Sequence, residues 1–395
     1  MALVLRGGLV WDGLAGEPSA LDVVLHDDGT IGEVCPAGGA SVTDDDVTVE
    51  LDGAYVLPGL VDSHVHLVWS GDPDPARVVD EEGEQLTVVR AVTHAQRQLA
   101  AGITTVRDLG SNWDVAVTVA KAIDRGICAG PTVIASGRTV IMTGGHDPFW
   151  GIFSDGVDAV TRAVRNQVSI GAGVIKTAAT GGAYGQSEGE EIGQSELSYE
   201  ELAALAAEAH RFGRKVAAHA LGTEGIRNAV RAGVDTVEHG VCLTEDIVDT
   251  MRAQGTVLCP TLATYRTLAA GDGIPDYAAA KARSVVDTHR ESFAMALDAG
   301  IPIIAGTDAG APNLPHPCLV DELEVLHEYG MPVLDVLRSA TSTAASALDR
   351  EDRAGVVRTG APADLVIVTA DPFADPANLR RVWGVVRGGG FTRHP

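Results

Sequence analysis

The chain has 395 residues, 45% of them hydrophobic and 21% charged, enough for one large domain with a smaller one, or two of medium size, around a sizeable core. Its formal net charge of −25 argues against nucleic acid and against an anionic membrane surface, since both call for basic patches. The five scattered cysteines include no CxxC pair, which excludes a zinc knuckle or a thioredoxin-type site and fits a reducing cytoplasm.

The opening MALVLRGGLVWDG carries a short apolar run without a basic flank or a small-residue cleavage site, so it is not read as a signal peptide. No apolar run reaches membrane-spanning length. Through residue 57 the chain reads as short strands and Gly/Asp turns: LVLRGGLVWDG, LDVVLHDDGTIGEV and VTVELDGAYVLPG. The style returns late, in DLVIVTAD and RRVWGVVRGGG, so residues 1–57 and 358–395 are expected to build one small β-sandwich domain from both ends of the chain.

Between them, over residues 58–357, apolar strand-like runs alternate with amphipathic segments. The runs are GLVDSHVHL, TTVRDLG, TVIASG, VIKTAAT, KVAAHA, TVEHG, TVLCPTL and PIIAGTDAG. QLTVVRAVTHAQRQLAAG reads as a helix closed by Gly102. SYEELAALAAEAHRFG reads as one with Ser198 as N-cap, Glu201 three residues on and Gly213 closing it. Eight apolar strands alternating with helices predict an α/β fold, a (β/α)8 barrel.

Sites in such barrels sit at the C-terminal ends of the strands, and the ionisable residues that fall there are few. His64 and His66 end the first run and, being i and i+2 on a strand, project together. Lys176 lies on the fourth run, His219 ends the fifth, His239 the sixth and Asp308 the eighth. Any one histidine alone also reads as a core imidazole bonded to backbone, and Asp308 as a cap. Lys176 is harder to place, because a buried unpaired ammonium costs several kcal/mol, on the order of a lost buried ion pair. It requires a carboxylate partner, or conversion of its neutral amine by CO2 to a carbamate that can bridge two cations.

In order and placement, His64-x-His66, Lys176, His219, His239 and Asp308 resemble the amidohydrolase superfamily over essentially the whole chain. TTVRDLG, SGRTVIMTGGH, IKTAATGGAYG, PTLATY, GTDAGAP and the tail SALDREDRAGVVRTGAPADLVIVTADP resemble the branch of Xaa-Pro dipeptidases, ochratoxin-type amidases and imidazolonepropionase-like proteins. The resemblance implies two divalent cations, with Zn2+ suited to the ligand set. His64, His66 and Asp308 would hold one, His219 and His239 the other, with N6-carboxylated Lys176 between them. It further implies hydrolysis of an amide by a metal-bridging hydroxide, with Asp308 carrying the proton to the leaving nitrogen. His146 and Tyr265 would face the substrate, and Arg107 is either a further site residue or structural.

The expected substrate is a small molecule: a dipeptide of the Xaa-Pro type or an N-acyl amino acid. Similar enzymes are often homo-oligomers. In similar proteins GGH usually continues with glycine, whereas here GGHDPFWG follows; Asp147 and Pro148 should stiffen the loop, and Phe149 and Trp150 are expected to line the pocket. The rival readings are a mononuclear imidazolonepropionase-like hydrolase or deaminase, and a scaffold that has lost catalysis. Gly-rich TGGAYGQSEGE lacks a following GK[ST] and is acidic, which argues against a phosphate loop.

Overall fold

The computed structural model describes residues 2–185 and 190–393. The two ends of the chain meet in one eight-stranded sheet: Leu3–Val10, Ser19–Leu25, Ile31–Pro36, Val47–Glu50 and Tyr55–Pro58 from the front, Leu365–Val368, Val382–Arg387 and Gly390–Arg393 from the back. The join is antiparallel, with Pro58 opposite Leu365 and Tyr55 opposite Val368. Alternate residues of these strands, among them Leu5, Val23, Val56, Ile367 and Val386, share a hydrophobic cluster separate from that of the central region.

Seven of the eight apolar runs in the middle form parallel strands: β1 (Leu60–Val65), β2 (Ile103–Asp108), β3 (Thr132–Ala135), β4 (Val174–Ala178), β5 (Lys215–Ala220), β6 (Thr236–His239) and β7 (Val257–Cys259). β1 to β3 pair in sequence, as do β4 to β7, and Gly173 N–H donates to Ala135 O across the gap between the two groups. Every residue of β1, β2, β4, β6 and β7 is buried, which is why these runs show no polar alternation.

The eighth run is extended without forming a continuous strand. Single parallel bridges tie Ile303 to Leu258 and Ala309 to Val65, and Ser63 N–H donates to Ala305 O. It therefore reaches β7 on one side and β1 on the other. The helices follow the strands: α1 (Pro75–Ala100), α2 (Val115–Asp124), α3 (Val157–Ile170), α4 (Tyr199–Arg211), α5 (Thr223–Ala232), α6 (Glu245–Gln254) and α7 (Leu262–Ala270).

α1 begins earlier than its periodicity predicts. Asp74 caps it, Pro75 occupies the first turn, and a non-helical Gly83 breaks it before the predicted segment starts. It closes with Gly102 at φ 88, and α4 carries the full Ser198–Glu201 capping box, as the sequence predicts. Among the described residues no helix is long and apolar enough to cross a membrane. Residues 186–189 of the Gly-rich stretch 180–190, and residue 1 and residues 394–395 of the terminal segments, lie outside the described residues.

Candidate functional site

All six residues singled out as candidate ligands line one cavity of about 40 Å³, together with His146 and Tyr265. That is room for roughly two or three water-sized bodies. His64 and His66 reach it from the end of β1, Lys176 from β4, His219 from β5 and His239 from β6. His239 and Asp308 both sit in the left-handed region, at φ 72 and 55. That conformation is uncommon for residues other than glycine and turns each side chain inward where its strand ends.

The imidazoles are oriented by bonds on their far side. His64 Nδ1 lies 2.9 Å from Glu238 Oε2, His66 Nδ1 3.0 Å from Gly110 O, and His239 Nδ1 2.6 Å from Thr261 Oγ1. Fixing one ring nitrogen this way presents the other to an ion. His64 Nε2 and His66 Nε2 come within 3.5 and 3.1 Å of Asp308 Oδ1. His64, His239 and Asp308 each offer a ligand atom within 4.8 Å of the others.

His219 Nε2 is buried with no hydrogen-bond partner among the described residues. Its ring stacks on His146 at 4.0 Å and meets His239 edge-on at 4.6 Å. An orphaned imidazole nitrogen beside three converging ligand atoms fits a divalent cation.

Burial pushes His64 down to about 4, with the Lys176 charge adding to it, and pushes His219 and His239 well below the usual imidazole value. Burial thus favours the neutral form, the one that ligates, at these three rings, whereas at His66 the hydrogen bond to Asp308 and its charge outweigh burial and push the ring up. Burial opposes ionisation of Asp308, but His64 and His66 hold its carboxyl well below the ordinary range. Lys176 is 2% exposed, and burial lowers its ammonium despite the carboxylates of Glu238, Asp147 and Asp308 nearby. Among the described residues no carboxylate forms an ion pair with it.

A second grouping, His64, Glu238 and Cys259, is also compact and buried. Its donors are already committed: Glu238 binds Arg107 at 2.8 Å as well as His64, and burial pushes the Cys259 thiol well above its usual value, away from the thiolate a metal needs.

Arg107, one of the sequence candidates, does not line the cavity. Its Nε donates to Ser63 O at 2.6 Å, Nη1 to Thr236 Oγ1 at 2.9 Å and Nη2 to Glu238 Oε1. It supports Glu238, which in turn supports His64. Phe149 and Trp150 are likewise not among the lining residues, correcting the expectation for this loop. Trp150 stacks on His66 at 4.8 Å and donates to Thr139 Oγ1, and Phe149 packs on Trp69 and Tyr184. The aromatic wall is formed instead by Trp69 and Tyr184, with Asp147 beside them.

His146 is held from three directions. Its Nδ1 lies 2.8 Å from Glu190 Oε1, its backbone N–H donates to Glu196 Oε1 at 2.8 Å, and its Nε2 is 3.4 Å from Asp147 Oδ1. Burial works against a charge here, yet Asp147 and Glu190 push the ring up to about 9. Both ring nitrogens are thus donors, suited to an oxygen rather than to a proton. Tyr265, at the start of α7, packs edge-on against His239 at 5.5 Å.

Sequence reading missed Glu238, Glu190, Glu196 and Trp69. Glu238 had a signal: a carboxylate two residues after Thr236 on a fully buried strand demands a partner. The others come from loops whose path no local pattern specifies.

The model of the amidohydrolase family matches residues 55–389. An ochratoxinase of Aspergillus niger is 29% identical over 380 residues, covering 86% of this chain and 76% of its own. Among solved structures, a Xaa-Pro dipeptidase with methionine bound in its active site superposes with a TM-score of 0.90 at 29% identity, each chain covered in full. A prolidase complexed with N-methylphosphonate-L-proline superposes at 0.91 and 30%, again over 100% of both chains.

Proposed function

The chain belongs to the amidohydrolase family, metal-dependent hydrolases of C–N bonds, and on that premise we propose that it hydrolyses the amide of a small dipeptide, of the Xaa-Pro type, with N-acyl amino acids as the neighbouring class. His64, His66 and Asp308 would hold one divalent cation and His219 and His239 a second, with Lys176, carboxylated on Nζ, as a further anionic ligand; imidazole and carboxylate donors suit Zn2+. When bound, such a pair acidifies water and polarises a carbonyl.

The remaining work falls to the chain's own groups. Asp308, kept ionised by His64 and His66, accepts the proton of the attacking water and delivers it to the leaving nitrogen. His146 donates from Nε2 to the oxygen on which negative charge develops. Trp69, Tyr184 and Tyr265 supply apolar surface that excludes water and shapes the acyl and leaving-group pockets.

The observation that carries this reading is Lys176: a buried lysine with no carboxylate ion pair among the described residues, in a cavity shared with five histidines and Asp308. Addition of CO2 to its neutral amine, with release of a proton, would replace the cation by a carbamate anion, a ligand suited to divalent cations. The structural superposition on a prolidase complexed with a proline phosphonate supports the choice of leaving group.

We read residues 58–357 as the catalytic domain, closed into a (β/α)8 barrel by the eighth run, and residues 1–57 with 358–395 as a smaller domain whose sheet folds over its own apolar cluster as a sandwich. A cytoplasmic homo-oligomer is the form we expect. The test is metal content per chain, with the same sample assayed on dipeptides and N-acyl amino acids. About two cations with turnover of a dipeptide support the proposal. One cation with turnover of a cyclic amide or an amine would favour the mononuclear alternative.

A further inference from the structure

Asp147 forms no hydrogen bond or ion pair with a candidate ligand among the described residues, yet it is placed at some cost. It is 6% exposed, lines the cavity, and takes φ 61 in the left-handed region. Its own contacts are thin. Oδ2 accepts from Thr139 Oγ1 at 3.2 Å, and Oδ1 stands 3.4 Å from His146 Nε2. His146 Nδ1 faces Glu190 Oε1 on its other side at 2.8 Å, and Glu190 also accepts from Gly182 N–H at 2.7 Å. Lys281 adds to that side, donating to Gly182 O at 3.2 Å. Outside the candidate ligands, His146 is the one imidazole and Asp147 the one carboxylate lining the cavity among the described residues.

Their spacing has a counterpart in substrate chemistry. In an α-amino amide the ammonium nitrogen and the carbonyl oxygen stand roughly 3 Å apart by standard bond lengths. Each ring nitrogen of His146 faces a carboxylate oxygen, Nδ1 that of Glu190 at 2.8 Å and Nε2 that of Asp147 at 3.4 Å, so Nε2 is placed as a donor next to the acceptor Asp147 Oδ1. A donor for the carbonyl oxygen thus lies next to an acceptor for the ammonium. At neutral pH most α-amino groups are protonated, with a pKa of about 7.7–8.0. An N-acylated substrate would offer Asp147 no ammonium, leaving its carboxylate only the Thr139 hydroxyl at 3.2 Å and the longer 3.4 Å approach of His146 Nε2.

Building on the hydrolase reading above, we propose that Asp147 is the specificity residue of this site, binding the free α-ammonium of the acyl residue while His146 Nε2 donates to the adjacent carbonyl oxygen. The substrate class is then the unblocked aminoacyl amide, a dipeptide with a free N-terminus, rather than an N-acyl amino acid. Substrate entry also draws Asp147 Oδ1 away from His146, releasing Nε2–H for the carbonyl.

The test is calorimetric binding of the ketomethylene analogue of Ala-Pro to the metal-loaded protein, with the amine free and with it acetylated. The free-amine analogue should bind at least about 30-fold more tightly, as a desolvated charge pair allows. Asp147→Asn should cut that ratio by tenfold or more, and Asp147→Glu, which keeps the charge, should retain a preference. Equal or tighter binding of the acetylated analogue to the unmodified protein overturns the proposal without needing any variant to fold. A preference that survives Asp147→Asn assigns the ammonium to another group and overturns it equally. Turnover of Ala-Pro and N-acetyl-Ala-Pro, measured separately, tests the hydrolase reading: if neither is cleaved the dipeptide assignment fails, while the binding ratio still decides the role of Asp147.

Discussion

His64 Nδ1 and Glu238 Oε2 lie 2.9 Å apart at full burial, and the other oxygen of Glu238 is held by Arg107. A ring fixed in this way presents Nε2 and only Nε2 to the cavity. Glu238→Gln keeps the shape but removes the charge that orients the imidazole and balances Arg107. Metal affinity should fall about 10- to 100-fold, read by competition with a chromophoric chelator. Arg107→Met should be worse for folding, since it strands Glu238 as a buried unpaired carboxylate, with a loss of about 3–5 kcal/mol in denaturant unfolding.

Lys176→Ala should lose bound metal and activity together, because it would delete the proposed carbamate ligand. Short-chain carboxylic acids added to the variant should restore part of both. Elemental analysis and activity on the same samples decide this; a variant that keeps full metal content would show that Lys176 bridges nothing.

Asp308→Asn removes the proposed proton acceptor while leaving an oxygen in place. Turnover should drop by about 10²–10⁴, the range of general acid–base catalysis, with a smaller effect on KM. An Asp308→Asn enzyme of near-normal kcat would refute the proton-carrier role.

Gly182 lies against the ring of His146: a Cβ there would stand 2.2 Å from His146 Cε1. Gly182→Ala must therefore push the imidazole out of place, and that ring stacks on His219 at 4.0 Å. kcat/KM should fall by about 10²-fold, the scale of losing one donor to a developing oxyanion, and metal content measured on the same samples separates that loss from a disturbed His219.

Below the site, His94 of α1 bonds through Nδ1 to Leu67 O at 2.9 Å and stacks on His316 at 4.5 Å. Burial pushes His94 down to about 4, below its unfolded value near 6.5. The unfolded chain therefore binds the extra proton first. The stability His94 contributes is complete above pH 6.5 and is lost as pH falls through 4. Urea unfolding of the metal-free protein at pH 7.5 and pH 5 should show a smaller acid loss for His94→Gln than for the unmodified chain. An unchanged difference would place the acid sensitivity elsewhere.

Much of the site was legible because strand ends are legible. His64-x-His66, His219, His239 and Asp308 stand at the ends of apolar runs, and alternation plus the barrel pattern brings such ends to one mouth. The loops were not legible in the same way. Asp147, Phe149 and Trp150 follow one another in GGHDPFWG, yet Asp147 faces the cavity while Trp150 packs beneath His66 and Phe149 packs on Trp69 and Tyr184. The left-handed turn at Asp147 redirects the chain, and no periodicity signals such a turn.

By itself the sequence determined the succession of buried parallel strands, the pairing of both chain ends and the residues at the strand ends, since these follow from hydrophobic period and capping within short windows. Only the tertiary structure decided which partners those residues keep. Arg107 meets Glu238 across 131 positions of chain and His64 meets Glu238 across 174. Contacts over such separations are chosen by how the strands pack, and the charges of the buried site are set by those contacts.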